Sequence, residues 1–378
     1  MTRPAVEVAD ILRAQGNDFI DGHHVRIQQL KVIRAITRCR TAALGGHVDK
    51  CPQCGVEQTV SYNSCRNRHC PKCQAQARQR WIAAREQELL ATRYFHVVFT
   101  LPHELQTLIL QNQVELYNLL FQTVAETLLE IARDPKHLGA DIGFFSILHT
   151  WGQNLLLFHP HIHCVIPSGG LSPDRTQWIR PQYVFFLPIK VLGKVFRGKF
   201  VHGLRLAFRG KRLTFAGQIQ HLAESKNFAS FLRTLFREDW VVYAKPAFGG
   251  PEQVVRYLGR YTHRVAISNH RLLSFDGNNV TFLWRDYAHG NKQKKMRVSA
   301  DEFIRRFLLH VLPKGVVRIR HFGFMANSQR SVFLEVCRRL LQMTPVVRTD
   351  HASTSSRLCP TCHTPMIVIE RLKPAEIA

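Results

Sequence analysis

The sequence has little negative charge and no long apolar run. It contains 27 Asp and Glu residues against 52 Lys and Arg residues, a formal net charge of +25 at pH 7. No stretch approaches the roughly 18 uninterrupted apolar residues of a membrane-spanning helix, and the first residues lack the apolar core of a signal peptide. These absences predict a cytoplasmic protein with no membrane association. The basic excess predicts a polyanionic partner, and nucleic acid is favoured over a ribosomal or membrane-surface role.

A disulfide framework is also not expected, although the chain has ten cysteines. Without a secretory signal, cysteines indicate metal ligation or free thiols. Two Cys-x-x-Cys knuckles are separated by fifteen residues, a spacing typical of a structural zinc site. Four thiolates form a closed tetrahedral site with no open position for catalysis. The sequence therefore predicts one structural zinc ion, bound by Cys51, Cys54, Cys70 and Cys73.

Other residues leave a second zinc site open. His47, Cys65 and His69 lie in the same stretch and could replace a ligand or hold another ion. A third knuckle, Cys359 with Cys362, has no partner nearby in the sequence. It is either half of a zinc ribbon completed by Cys65 and His69 or a relic without an ion. We favour the relic, because a lone Cys-x-x-Cys pair is a weak signal.

Residues 175–223 form a basic segment with ten Lys or Arg residues and no acidic residue. Aromatic residues such as Phe196 and Phe200 are interleaved, a pattern typical of surfaces that bind single-stranded nucleic acid. The alternative is an amphipathic helix after Pro188 whose aromatic side chains are core. The predicted DNA-binding residues are Lys190, Lys194, Arg197 and Lys199 of this segment and Arg66 and Arg68 of the cysteine module.

Alternation of apolar residues predicts an antiparallel sheet. Strands are expected at residues 94–101, 142–150 and 161–167, and the last two are joined by a short polar loop. A helix is expected from about residue 104 to residue 132. Helices packed on an antiparallel sheet place the protein in the α+β class.

Histidines are concentrated at the start of the third predicted strand. Because alternate strand residues face the same side, His161 and His163 can bind one metal ion while the residue between them faces away. His149 is the best geometric candidate for a third ligand, since antiparallel pairing can bring it level with the pair. His159 and Gln153 are the alternatives. A structural role for the histidines also stays open.

Two tyrosines lie four residues apart on a later predicted helix. The helix begins at residues 249–252, where Gly-Gly-Pro-Glu places proline and an acid in the first turn. Tyr257 and Tyr261 then fall on one face of the helix. Val254 and Leu258 share that face, so both rings could instead belong to the core.

Four motifs occur in a characteristic order. They are the cysteine module at 51–73 with SCRNRH at 64–69, FHPHIH at 158–163 followed by GGL at 169–171, YLGRYTHRVAIS at 257–268, and RHFGF at 320–324. Together they resemble the rolling-circle transposases of bacterial insertion sequences. These are His-hydrophobe-His (HUH) endonucleases of the two-tyrosine type, specifically the family named after insertion sequence ninety-one, with its N-terminal zinc-binding domain. The resemblance covers roughly residues 30–335.

The resemblance implies roles for individual residues. His161 and His163 would be ligands of a catalytic divalent metal, and the family has a His or Gln near the position of His149. Tyr257 and Tyr261 would be nucleophiles that form a 5′-phosphotyrosine; Tyr261 is favoured because members with one tyrosine keep the second. Three imidazoles suit Mn²⁺, Ni²⁺ or Zn²⁺, whereas availability in the cell favours Mg²⁺ or Mn²⁺, which we expect here. Arg260 and Arg264 of the tyrosine segment complete the DNA-binding candidates.

The resemblance also implies the organisation and setting of the chain. We expect a helical and zinc-binding domain at residues 1–90, an HUH endonuclease domain at 91–335, and a C-terminal helix and tail with the lone knuckle at 336–378. The substrate would be single-stranded or hairpin DNA at element termini, in the bacterial nucleoid, and a homodimer stays open. A barrel-type metal hydrolase is disfavoured because its strand-end ligands are missing. The remaining alternative is a zinc-dependent DNA-binding regulator without nuclease activity.

Overall fold

The computed structural model describes residues 4–58, 60–152, 156–181, 187–246, 259, 266–286, 289–290, 292–343 and 357–374. The α-helices in these ranges are α1 Val8–Gly22, α2 Ile27–Thr37, α3 Gln74–Glu86, α4 Gln106–Gln111, α5 Gln113–Arg133, α6 Ile189–Arg209, α7 Ser225–Thr234, α8 Ala300–Leu308 and α9 Arg330–Leu340. Short 3-10 helices lie at Ala42–Leu44, His103–Leu105, Gly217–Ala223 and Asn269–Arg271.

The strands of the same ranges are β1 Gly46–Lys50, β2 Ser61–Tyr62, β3 Tyr94–Thr100, β4 Gly143–Trp151, β5 Phe158–Pro167, β6 Gly170–Leu171, β7 Trp178–Ile179, β8 Val242–Pro246, β9 Leu272–Phe275, β10 Asn279–Asp286, β11 Lys292–Ser299, β12 Ile319–Gly323 and β13 Ile367–Leu372. The predicted α+β class is confirmed. Within the described part of the chain, no helix is both long enough and apolar enough to cross a bilayer.

The chain folds into two compact units, each built from segments that are distant in sequence. Unit 1 comprises Met1–Ala77, His263–Val311 and Val347–Ala378, and unit 2 comprises Arg78–Thr262 and Leu312–Val346. The predicted domains at 1–90, 91–335 and 336–378 are consecutive and do not coincide with these units. Part of the difference has a direct cause, because β13 near the chain end pairs with β1 near its start.

Unit 1 contains two three-stranded antiparallel sheets, in the orders β13-β1-β2 and β11-β10-β9. Helix α8 follows the second sheet, and the Ser299 side chain accepts a hydrogen bond from the Glu302 N–H at 3.2 Å. This N-cap supplies a partner for one of the N–H groups that a helix start leaves unpaired. The apolar side of α8, including Phe303, packs against Phe282 of β10 with the ring centroids 6.0 Å apart.

Unit 2 contains a five-stranded antiparallel sheet in the order β12-β4-β5-β3-β8. One face is apolar and packs on helices, as the T-shaped pair of Phe99 on β3 and Phe196 on α6 shows, with centroids 5.1 Å apart. The opposite face packs Phe145 of β4 against Trp81 of α3 at 5.6 Å. Because β4 and β5 are central and covered on both sides, polar side chains on them are costly unless they are paired.

Two details of the helices differ from or refine the sequence prediction. The single helix expected at 104–132 is divided at Asn112, whose backbone leaves helical geometry at φ −124° and ψ 39°. Its side-chain amide donates to the carbonyl oxygens of Leu108 and Thr214, both at 2.9 Å. Phe196 and Phe200 of α6 are fully buried, so the core alternative holds for these two rings.

Candidate active site and metal centres

Strands β4 and β5 bring three histidines to one face of the unit 2 sheet. The antiparallel register sets His149 opposite His161 and Ile147 opposite His163. Because directly paired and alternate residues share a face, all three histidines project to the same side. Their candidate ligand atoms lie within 4.8 Å of one another.

The main chain orients the ring of His161. Its Nδ1–H donates to the carbonyl oxygen of His159 at 2.8 Å, since a carbonyl can only accept. Nε2 of His161 therefore carries the lone pair, and it lies 3.0 Å from Nε2 of His163. Two nitrogen ligands about 2.1 Å from one ion and at right angles to each other are separated by about 3 Å. The pair thus has the spacing of two adjacent metal ligands.

The three candidate ligands are buried. His149, His161 and His163 are 2%, 9% and 6% exposed. Burial lowers the pKa of His161 to about 4, against the opposing effect of its hydrogen bond to the His159 carbonyl. Burial also lowers the pKa of His159. Neutral imidazole is the form that ligates metals, so His161 needs no deprotonation to bind an ion near pH 7.

A fourth histidine, His96 on β3, contacts the cluster and was missed by the sequence analysis. Its Nε2 lies 2.7 Å from Nδ1 of His163, and the two rings stack with centroids 4.9 Å apart. Burial lowers the pKa of His96 to about 4, so its neutral Nε2 can accept the Nδ1–H of His163. Nε2 of His163 is then left for an ion. Strand alternation in the sequence could have placed His96 on one face of the sheet. It did not indicate a role, because a single histidine on a strand is usually structural.

Replacing His96 by phenylalanine is expected to weaken divalent-metal binding about 10- to 100-fold, because the partner that fixes the His163 tautomer is lost. His96→Gln keeps an acceptor and should recover part of the affinity. Calorimetric titration of both variants with Mn²⁺ measures the difference. Equal affinity of His96→Phe and the unsubstituted protein would contradict the assigned role.

The ring of His149 is held by an aromatic neighbour. Trp151 stacks on His149 with centroids 4.9 Å apart and an interplanar angle of 17°, next to an irregularity in the β4–β5 register. The guanidinium of Arg318 lies 5.8 Å from the Trp151 ring centroid. Of the alternative third ligands, Gln153 lies outside the described residues, and His159 contributes its carbonyl oxygen to His161.

The arrangement has the donor set of an open metal site. Three imidazoles from one sheet face suit a divalent first-row ion, and among the described residues no fourth His, Cys, Asp or Glu joins them. An ion held by these residues would leave positions that a phosphate oxygen could take, and it would act there as a Lewis acid. Among the described residues, the set therefore fits an open divalent-metal site.

Four predicted site residues lie outside the described residues: Tyr257, Tyr261, Arg260 and Arg264. Gly259, between the two tyrosines in sequence, is described as a buried helical residue. A Cβ added there would lie 2.3 Å from Cδ1 of Ile82 on α3. The neighbouring Trp81 packs on Phe145, which shares the sheet face of the three histidines. Residue 259 thus meets the helix that covers part of that face.

The cysteines of unit 1 form two clusters. One consists of Cys39, Cys65, Cys70 and Cys73, and the other of Cys51, Cys54, Cys359 and Cys362. The predicted grouping of Cys51, Cys54, Cys70 and Cys73 around one ion is therefore corrected, because each N-terminal knuckle joins a different cluster. The pairing of β13 with β1 brings the C-terminal knuckle of Cys359 and Cys362 to the N-terminal knuckle of Cys51 and Cys54. Neither cluster includes His47 or His69, which are both described.

The first cluster has the dimensions of a tetrathiolate site. Sγ of Cys73 lies 3.5 Å from that of Cys39 and 3.6 Å from that of Cys65, and the Cys39 and Cys70 sulfurs are 3.6 Å apart. The edges of a zinc–sulfur tetrahedron measure about 3.8 Å. Hydrogen bonds from neighbouring thiols, Cys65 first, lower the pKa of Cys39 to about 7. Cys39 was missed because it follows α2 as a single cysteine.

The predicted DNA-binding residues of the described segments differ in accessibility. Arg66, Lys190 and Lys194 are exposed, whereas Arg68, Arg197 and Lys199 are half-buried. Arg197 donates to the Glu238 carbonyl oxygen at 2.7 Å, and Lys199 pairs with Glu130 at 2.8 Å. The first three are therefore better placed for phosphates than Arg197 and Lys199.

Comparison with known proteins identifies the chain. Residues 143–332 match the family model of a putative transposase, and residues 11–101 match that of a transposase zinc-binding domain. A putative transposase of Sinorhizobium fredii is 51% identical over 385 residues, covering 98% of this chain and 96% of that relative. The chain belongs to the IS91 family of transposases.

This IS91-family transposase is also similar to the transposase for insertion sequence element IS801 of Pseudomonas savastanoi pv. phaseolicola. The two are 26% identical over 327 residues, which cover 83% of this chain and 74% of the relative. No solved structure matches the chain. The transposase match spans β4, β5 and Gly259, and the zinc-binding match spans the whole first cysteine cluster. A structural zinc ion in that cluster agrees with both the family and the thiolate geometry.

Proposed function

We propose that this transposase nicks and rejoins single-stranded DNA at insertion-sequence ends through a 5′-phosphotyrosine intermediate. The observation that carries the proposal is the sheet face on which His149, His161 and His163 meet. A transposase acts on DNA, and the net charge of +25 suits a polyanionic substrate. The proposed substrate class, element termini in single-stranded or hairpin form, follows from the resemblance to two-tyrosine transposases.

The three histidines are proposed to hold Mg²⁺ or Mn²⁺. An ion held there would supply Lewis-acid stabilisation of the charge on the scissile phosphate. The carbonyl oxygen of His159 and the ring of His96 hold His161 and His163 with Nε2 free of hydrogen. The closely packed strands β4 and β5 fix the relative positions of the imidazoles before substrate arrives.

Tyr261 and Tyr257 are the proposed nucleophiles. The hydroxyl, whose ordinary pKa is about 10, loses its proton as its oxygen bonds to phosphorus. The bond from phosphorus to the 3′ oxygen breaks, and that oxygen takes up a proton to become a free 3′-OH. Because the phosphodiester persists as phosphotyrosine, attack by a 3′-OH restores the DNA strand without ATP. Two tyrosines permit two such exchanges, one for the donor end and one for a second strand.

The packing of Gly259 supports a tyrosine position beside the histidine face. Since Cδ1 of Ile82 occupies the space of a Cβ, Gly259→Ala is expected to destabilise the protein by about 1–3 kcal/mol through overpacking. Truncating the neighbour in Gly259→Ala/Ile82→Ala should make the two effects non-additive, with a coupling of about 0.5–3 kcal/mol. Denaturant unfolding of the four proteins measures this coupling. Strict additivity of the two substitutions would contradict the contact.

The test of the function uses labelled single-stranded DNA from the two ends of the protein's own element. With Mg²⁺ or Mn²⁺ we expect a nick and a protein–DNA adduct that survives denaturation, and chelation should abolish both. The second candidate function is a zinc-dependent DNA-binding regulator, favoured by the two cysteine clusters. Binding of the same DNA without nick or adduct would support the regulator and refute the nuclease.

A further inference from the structure

The C-terminal knuckle of Cys359 and Cys362 meets Cys51 and Cys54 of the N-terminal segment. Sγ atoms of Cys54 and Cys359, 305 positions apart in the chain, are separated by 3.5 Å. The sulfur of Cys362 lies 3.3 Å from that of Cys51 and 3.6 Å from that of Cys54. These distances are close to the edges of about 3.8 Å in a zinc–sulfur tetrahedron and far from the disulfide bond length of about 2.05 Å.

Both knuckles have the same backbone conformation. In each, the N–H of the first cysteine donates to the carbonyl oxygen five residues later, at 2.8 Å for Cys51 and 2.9 Å for Cys359. The residue after the second cysteine, Gly55 or His363, donates its N–H to the carbonyl oxygen of the first cysteine, at 3.1 or 3.0 Å. Both have positive φ, 73° and 58°, which is uncommon for a histidine. The lone knuckle thus repeats, bond for bond, the turn of its N-terminal counterpart.

Two of the four cysteines in this cluster are buried. Cys51 and Cys359 are 1% and 0% exposed, and Met366 and Val56 pack against them. Strands β1 and β13 pair over five positions, and the last pair joins Lys50, which directly precedes Cys51, to Ile367. The strand pairing therefore holds the two knuckles face to face. Four protein sulfurs leave no open position for a substrate, so the site would be structural.

We infer that Cys51, Cys54, Cys359 and Cys362 bind a second structural zinc ion that fastens the C-terminal strand β13 to β1. The match to the transposase zinc-binding domain ends at residue 101, before half of this ligand set. Bringing together two knuckles that are about 300 residues apart in the chain has an entropic cost. The zinc–thiolate bonds would offset that cost in the folded state. Loss of the ion releases β13 from β1.

Zinc content distinguishes the second site from the first. The full chain with Cys359→Ser/Cys362→Ser should contain one zinc ion less per chain than the unsubstituted protein, measured by mass spectrometry of the metal. Cys39→Ser/Cys73→Ser should also lose one, by removing the other cluster. Cys164→Ser, a buried cysteine outside both clusters, is the matched control and should keep the full content. An unchanged zinc content in Cys359→Ser/Cys362→Ser overturns the inference.

Alkylation is measured on the unsubstituted protein, so this test does not depend on whether a cysteine variant folds. Cys54 is exposed, so burial alone does not protect its thiol from iodoacetamide. We expect Cys54 and Cys362 to resist native alkylation, and to react after a chelator has removed the zinc while deuterium exchange in β13 rises. Rapid alkylation of both at full zinc content, or a disulfide between Cys51 and Cys362, would overturn the proposed site.

Discussion

His161→Ala/His163→Ala is expected to lower the rate of DNA strand cleavage by about a thousandfold or more. The substitutions remove two of the three imidazoles that are proposed to bind the ion, and an ion no longer held there could not withdraw charge from the phosphate. Lewis-acid stabilisation is worth several kcal/mol, and each 1.36 kcal/mol changes a rate tenfold. Single-turnover cleavage of element-end DNA at saturating Mn²⁺ measures the loss, and calorimetry tests whether metal binding disappears with it.

His159→Ala is the matched control for this experiment. His159 lies on the same strand, and its main-chain carbonyl oxygen, which accepts the hydrogen bond from His161, is retained in alanine. The substitution removes only the His159 ring, whose centroid lies 5.4 Å from that of His161. The control should cleave DNA at close to the unsubstituted rate, and His149→Ala should lose most of it. Full activity in His161→Ala/His163→Ala, or equal loss in the His159 control, would contradict the assignment of the ligands.

Tyr261→Phe is expected to abolish the covalent protein–DNA adduct. Phenylalanine keeps the ring and removes only the hydroxyl, so DNA binding should persist while the nucleophile is lost. Because Tyr257 is assigned to the second exchange, cleavage should fall by at least about a thousandfold, more than 4 kcal/mol in the activation barrier. Gel electrophoresis under denaturing conditions measures the adduct, and fluorescence anisotropy with the same labelled DNA measures binding.

Two further tyrosine variants separate the roles. Tyr257→Phe should still form the first adduct and should fail to join the donor end to a second strand, because that exchange needs another nucleophile. Tyr243→Phe changes a half-exposed tyrosine of β8 in unit 2 and serves as the matched control with unaltered chemistry. An adduct of normal yield in Tyr261→Phe and its loss in Tyr257→Phe would reverse the two assignments.

The histidine face was predictable because a strand has a simple periodicity. A His-apolar-His run fixes two side chains on one side, and a short loop to the preceding strand fixes the register closely enough to select His149. Its actual partner across β4 and β5 is His161, the residue that the antiparallel argument requires. Residue order alone thus contains most of the information for this part of the site.

The cysteine grouping was not predictable from local spacing. Two knuckles fifteen residues apart indicated one site, yet each knuckle clusters with two cysteines that belong to neither of these knuckles. Two of these, Cys39 and Cys65, are single cysteines without any knuckle pattern. The other two, Cys359 and Cys362, lie 305 positions or more from Cys51 and Cys54. Such contacts depend on the pairing of β1 with β13, and nothing in either strand's sequence identifies the other.

His96 shows a similar limit. Its strand was predicted, and so was the alternation that places it on one side of the sheet. Its contact with His163, however, requires β3 to lie beside β5. Strand order in a sheet is a tertiary property. The same holds for Phe196 and Phe200, whose burial depends on β3 and Trp240 rather than on the basic segment around them.

The most direct measurement is to digest the protein–DNA adduct formed with Mn²⁺ and to locate the nucleotide by peptide mass spectrometry. We expect a 5′-phosphate linked to the oxygen of Tyr261, or of Tyr257 in the second exchange, and no adduct in His161→Ala/His163→Ala. A linkage to any other residue, a 3′-phosphate linkage, or an adduct that persists without the histidines would contradict this expectation.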